Sequence, residues 1–230
     1  MMIIAMFLAH LVGDYILQWN SLAAWKSREL KGVIVHCLVV FAVTWLFILP
    51  FNPAWWPWVV VIGIAHFLID AVQLRVKLPI PELARFSLDQ LAHFTVITLA
   101  LTAGGYLNLT SLLQDGMHIL QSDLLLIYLL GYAFVTMPAW VVVKFTAYGL
   151  VQGSAPQFGD SSKYLGILER LLMTTFVAMG QYVLLPVVIL PRLLMEWPQM
   201  ANDERAPVYL AELLVSVMLA VSVGILFQFI

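Results

Sequence analysis

From Gly32 to Leu74 the chain carries a single formal charge, Asp70, and no Lys, Arg or Glu. Pro50, Asn52, Pro53 and Pro57 divide that stretch into two apolar runs, each near the roughly 20 residues that a helix needs to cross a hydrocarbon core about 30 Å thick. In lipid every backbone polar group must be satisfied within the segment or by a closed sheet. Near-continuous apolar runs, without polar/apolar alternation, therefore point to helices. The rest of the chain repeats the pattern. Charged residues make up 10% of its 230 residues, and 63% are hydrophobic. An ordinary soluble protein is roughly 25% charged, so the expectation is an all-α integral membrane protein with one membrane domain over 1–230 and no soluble domain.

Runs bounded by Pro, Gly, Asn and charge clusters predict seven spans, at about 3–19, 33–50, 56–74, 86–107, 123–143, 164–187 and 207–229. In the sixth, Pro186 and Pro191 either end the span early or divide it into a span and an interfacial piece ending near Trp197. The first segment has no basic leader region and no small-x-small cleavage pattern, and it reads as a retained helix. Lys26, Arg28, Lys31, Arg75, Lys77, Arg85, Lys144 and Lys163 fall in or beside the odd-numbered loops, whereas the even-numbered loops hold Arg192 and Arg205. The positive-inside rule then places the amino terminus outside and the carboxy terminus in the cytoplasm. The second loop, "LPFNPAWWPWV", fits an aromatic belt at the outer headgroup level. A net charge of -2 argues against a nucleic-acid partner. One cysteine, Cys37, excludes an intrachain disulfide and a Cys-based metal cluster.

Against this apolar background the ionisable groups are ordered. "AHLVGDYILQ" holds His10 and Asp14, "AHFLIDAVQ" holds His66 and Asp70, and "LDQLAHF" holds Asp89 and His93, each pair at i and i+4; His36 stands early in the second span. That spacing puts both members on one helix face, about 6 Å apart along the axis. In the two spans running toward the cytoplasm His precedes Asp; in the fourth, running away from it, Asp precedes His. All seven groups then fall in one layer, roughly 5 to 15 Å below the cytoplasmic boundary at 1.5 Å per residue. Glu169 and Arg170 in "YLGILER" reach a similar depth, about 9 Å, on the sixth span.

An Asp at a helix centre costs about 2.5 to 3.5 kcal/mol to insert, while a Leu returns about 0.3 to 0.6. Groups that costly must meet each other, water or a cation. Imidazole and carboxylate together suit zinc, iron, manganese, cobalt or nickel, and the lack of thiolates argues against copper(I). His10, Asp14, His36, His66, Asp70 and His93 are the candidate ligands of a divalent transition metal, zinc before manganese or iron. They exceed the three protein ligands usual for a catalytic zinc, which leaves open a second metal or outer hydrogen-bond partners. Several groups have plainer readings. His118 reads as a solvent-facing loop residue, Cys37 as packing and Glu212 as a lone interfacial acid; Glu169 and Arg170 either join the site or pair with each other or with Lys163.

These motifs, "AHLVGDYILQ", the His36 segment, "HFLIDAVQ", "LDQLAHF" and "YLGILERLL", together resemble an uncharacterised bacterial integral-membrane family, domain of unknown function 3307. The resemblance implies a polar cluster of His10, Asp14, His36, His66, Asp70, Asp89, His93, Glu169 and Arg170, and residence in the bacterial cytoplasmic membrane. It departs at Gln73, where the family often has Lys, and at Val188 to Pro191, where the family has an Ala-Ala-Lys-Ser stretch. Residue types alone also look distantly like bacterial membrane-bound metal-dependent hydrolases.

The leading expectation is a metal-dependent hydrolase of a lipid or other amphiphile. The metal would activate a water near neutral pH, Asp89 or Glu169 would serve as general base, and Arg170 would hold a substrate phosphate or carboxylate. The rivals are a metal-ion or proton transporter and a non-catalytic assembly or sensor subunit. The nearly bare outer halves of the spans favour a site open to one side over a route through.

Overall fold

The computed structural model describes residues 1–76, 78–108, 123–151, 163–200 and 206–230; Lys77, His118 and Arg205 lie outside them. Among the described residues all regular structure is helical. The helices are α1 (Met2–Leu11, continued by a π turn over Val12–Ile16), α2 (Asn20–Lys26), α3 (Leu30–Ile48), α4 (Trp56–Arg75), α5 (Glu82–Ala103), α6 (Leu124–Val135), α7 (Met137–Val151), α8 (Lys163–Ala178), α9 (Leu185–Met200) and α10 (Ala206–Gln228). Short 3-10 turns precede α4 (Pro53–Trp55) and α9 (Tyr182–Leu184).

The helices at 30–48, 53–75, 82–103 and 206–228 are each long and apolar enough to cross a membrane, and the number rises to 6 if two bent pairs each count as one span. One pair is the first segment, which is not the straight helix expected over 3–19. The π turn, closed by Leu17 N–H donating to the Val12 carbonyl at 2.8 Å, is followed by extended backbone at Trp19, and α2 leaves at 91°. The other pair is α6 and α7, bent by 41°. The expected sixth span, 164–187, also ends earlier, and at a glycine rather than at Pro186. Gly180 takes φ +71, Gln181 N–H donates to the Phe176 carbonyl at 2.7 Å and Gly180 N–H to the Val177 carbonyl at 2.9 Å. This is the paired 6→1 and 5→2 bonding of a Schellman stop. Pro186 instead lies in the first turn of α9, where its missing N–H costs nothing.

The described residues group into two compact units, Met1–Ile80 with Ala84–Ala133, and Pro81–Leu83 with Phe134–Ile230. In the first, Met2, Ala5 and Met6 of α1, Ile48 of α3, Val59 and Ile62 of α4, and Ile97, Ala100 and Leu101 of α5 form the apolar core. Each helix contributes the end remote from its His and Asp residues, so one end of the bundle is apolar and the other polar. α2 lies across the start of α3 because residue 32 is glycine: a Cβ there would stand 2.5 Å from the backbone of both Trp25 and Lys26. In the second unit α10 packs along α7 and α8, with Ser216, Ala220 and Gly224 buried on one face. Thr174 of α8 donates to the Ala220 carbonyl across that seam at 3.1 Å. Small residues at four-residue spacing let helices approach closely.

Polarity is inverted relative to a water-soluble bundle. His36 is 0% exposed and Asp70 2%, whereas Leu38 is 60% exposed and Ile64 57%.

Candidate metal centre

Four helices of the first unit deliver the polar layer. α1 brings His10 and, on its π turn, Asp14; α3 brings His36 and Cys37, α4 His66 and Asp70, and α5 Asp89, Gln90 and His93. The π turn widens the helix at Asp14, a distortion found often where a helix carries function.

His36 Nε2 lies 2.9 Å from Asp14 Oδ1 and 3.6 Å from Asp70 Oδ2. His66 Nε2 lies 3.3 Å from His36 Nε2, 3.5 Å from Asp70 Oδ2 and 3.9 Å from Asp14 Oδ1. Donors at about 2.0 to 2.2 Å on a tetrahedral metal stand about 3.3 to 3.6 Å apart. These atoms are spaced as such a donor set is spaced. Other atoms of the layer have no such neighbour: Asp70 Oδ1, Asp89 Oδ1, His36 Nδ1 and His93 Nε2 are buried without a hydrogen-bond partner. Buried carboxylate oxygens left so cost several kcal/mol each unless a charge meets them.

A second grouping adjoins the first. His93 Nδ1 lies 3.0 Å from the Asp89 main-chain carbonyl, which fixes it as the N–H donor. Its Nε2, the acceptor nitrogen when the ring is neutral, lies 3.8 Å from Asp70 Oδ1. A ring N–H tied to a carbonyl is how proteins orient ligating histidines. Three donor sets result, Asp14/His36/His66, Cys37/His66/Asp70 and Asp70/Asp89/His93, each with ligand atoms within 4.8 Å of one another. His66 and Asp70 link them.

The structure thus brings together His10, Asp14, His36, His66, Asp70, Asp89 and His93. His10 stands at the margin. It belongs to none of the three sets, stacks on His93 at 5.3 Å between ring centroids and shares Gln90 with Asp14 through contacts of 3.4 Å each. Cys37, expected as packing alone, lies with Sγ 3.8 Å from Asp70 Oδ2. Two participants escaped the sequence reading. Gln90, which also donates to Asp89 Oδ2 at 3.1 Å, carries no charge and so does not stand out in a pattern of ionisable groups. Lys26, counted only as a loop charge, places Nζ 2.9 Å from Asp70 Oδ2 and 3.7 Å from Asp14 Oδ1. Its approach depends on Gly32, the one local signal for it.

Glu169 and Arg170 lie in the second unit and have their contacts there. Glu169 accepts from Arg192 at 2.9 Å. Arg170 donates to the Val135 and Thr136 carbonyls at 2.7 and 3.2 Å, at the α6–α7 bend, and to Ser216 Oγ at 3.2 Å. Glu212 is no lone interfacial acid: it is buried and ion-paired with Lys144 at 2.7 Å.

The fold and the cluster define a class: a protein of apolar helices built around a buried layer of imidazoles and carboxylates placed to hold a metal. The chain belongs to the family described as "Protein of unknown function (DUF3307)", whose model matches residues 2–121. That match contains every residue of the layer and stops short of "YLGILERLL". No curated protein and no solved structure matches the chain.

Proposed function

We propose that this is an integral protein of the bacterial cytoplasmic membrane that hydrolyses a lipid or other amphiphile at a metal centre in the cytoplasmic half of the bilayer. The inverted polarity and the apolar helices support the membrane reading. Seven crossings, amino terminus outside, require α8 to span as well; its 16 residues reach about 24 Å.

The observation that carries the proposal is the convergence of His36, His66, Asp14 and Asp70, whose ligating atoms lie close together in the buried layer, with Asp70 Oδ1 beside them buried and without a hydrogen-bond partner. These four would hold one divalent ion, zinc before manganese or iron, and His93 with Asp70 and Asp89 a second. Such an ion supplies Lewis acidity and an activated water. Asp89, its side chain 12% exposed, would serve as general base through Oδ1, which has no hydrogen-bond partner. His10 and Gln90 hold Asp14 and Asp89 in orientation.

Two features favour an enzyme over a transporter. The void beyond His10, His66 and His93 is only about 10 Å³, room for one water at most, and the apolar core closes the bundle behind it. An open apolar groove of about 320 Å³ between α3 and α4, lined by Leu38, Phe41, Ile64 and Phe67, shares Cys37 with the site, which suits an acyl chain lying beside the centre.

The test is a panel of phospholipids and acyl amides incubated with metal-replete protein in detergent, with products read by mass spectrometry. Release of a fatty acid or headgroup that Asp89→Asn abolishes is the expected result. Metal-replete protein that hydrolyses nothing, but carries metal flux in proteoliposomes that Asp70→Asn stops, makes it a transporter instead.

A further inference from the structure

The second unit holds a cluster that the metal chemistry does not use. Lys144 of α7, Arg170 of α8, Arg192 of α9, and Glu212 and Ser216 of α10 surround a cavity of about 20 Å³, completed by Trp140, Val143 and Gly166. Three of those lining groups are cations and one is an acid. Glu212 is taken up by Lys144 at 2.7 Å, and Glu169, bonded to Arg192 at 2.9 Å, does not line the cavity. Arg170, 1% exposed, is the largest fully buried side chain among the described residues, and it donates hydrogen bonds to two carbonyls and a hydroxyl. Buried cations facing a common void in a low dielectric are stabilised strongly by a negative charge placed there.

The void exists because residue 166 is glycine. A Cβ on it would lie 3.4 Å from Arg170 Nη1 and 3.8 Å from Arg192 Nη1, so the two guanidinium groups meet over the space that a side chain would fill. Ser216 Oγ lies 3.2 Å from Arg170 Nη1 and offers a hydroxyl to the same space. A volume of about 20 Å³ admits one or two atoms of water size, which excludes phosphate and lipid headgroups.

We propose that this cavity is a binding site for a small monatomic anion of the chloride class, held between Arg170, Arg192, Lys144 and Ser216. The anion would offset the buried charge of Arg170, whose hydrogen bonds go to neutral acceptors, and tie α8, α9 and α10 together at one point.

The probe is bromide. Full-length protein in detergent with a chelator is titrated with bromide at constant ionic strength, gluconate balancing, and thermal unfolding is followed. The expected result is a saturable rise in the unfolding temperature. Gly166→Ala, whose methyl fills the space at ordinary contact distance and so keeps the fold, should raise half-saturation at least tenfold, the equivalent of about 1.4 kcal/mol. Ser216→Ala should weaken binding in the same direction and serves if Gly166→Ala fails to fold. Identical unfolding in bromide and gluconate, or a saturable bromide effect untouched by both variants, overturns the proposal.

Discussion

Lys26→Met separates the metal reading from a purely ionic one. Lys26 Nζ lies 2.9 Å from Asp70 Oδ2 and 3.7 Å from Asp14 Oδ1, and its side chain is 19% exposed. At an effective dielectric of about 20 the two attractions are worth about 4 to 6 kcal/mol each before desolvation. Desolvation offsets much of this, and removing one partner of a buried pair costs about 3 to 5 kcal/mol net, because the carboxylates are left uncompensated. In chelator, therefore, the variant should unfold well below wild type. A divalent ion at the proposed centre would compete with the ammonium for the Asp70 carboxylate. Deleting the ammonium would remove that competition, and the same energy corresponds to roughly a hundred- to several-thousand-fold tighter metal binding. The assay is thermal unfolding with and without chelator, paired with zinc and manganese competition against a fluorescent chelator. The expected pattern is a destabilised apo-protein that metal rescues fully. A variant equally unstable with and without metal, and no tighter for it, refutes the reasoning.

Other outcomes follow from the same geometry. Gly32→Ala forces a Cβ to 2.5 Å from the backbone of Trp25 and Lys26; backbone cannot yield as a side chain does, so thermal stability should fall by about 1 to 3 kcal/mol. His10→Ala should retain metal at near wild-type stoichiometry while His66→Ala loses it, measured by elemental analysis of the purified variants, because His66 belongs to two donor sets and His10 to none. Lys144→Met strands Glu212 and should destabilise by about 3 to 5 kcal/mol; the double variant with Glu212→Leu should recover most of that in chemical or thermal unfolding.

The sequence already displayed what helical periodicity can display. His66 with Asp70 and Asp89 with His93 sit at i and i+4, and reversed order in oppositely directed helices predicted the shared layer that α1, α3, α4 and α5 form. What was illegible depends on backbone departures from a straight helix. The π turn at Val12–Ile16 and the 91° turn into α2 carry Lys26, a residue that looks like loop, back onto Asp14 and Asp70. Gly180 ends α8 through a conformation that composition does not reveal beside two prolines. Lys144 and Glu212, 68 positions apart, meet only because α7 and α10 pack. Atom-level geometry decided which histidines converge: His10 shares the layer and the face, yet its ring turns to His93 and Gln90.

The most direct test of the metal centre is elemental analysis of untagged protein purified without chelator, by inductively coupled plasma mass spectrometry, beside His66→Ala and Asp70→Asn. About one or two transition-metal ions per chain, lost in both variants while the variants still fold, is the expected result. Folded wild-type protein without stoichiometric metal, and unable to take it up from added zinc, manganese or iron, contradicts the account and leaves Lys26 as the cation around which the layer is built.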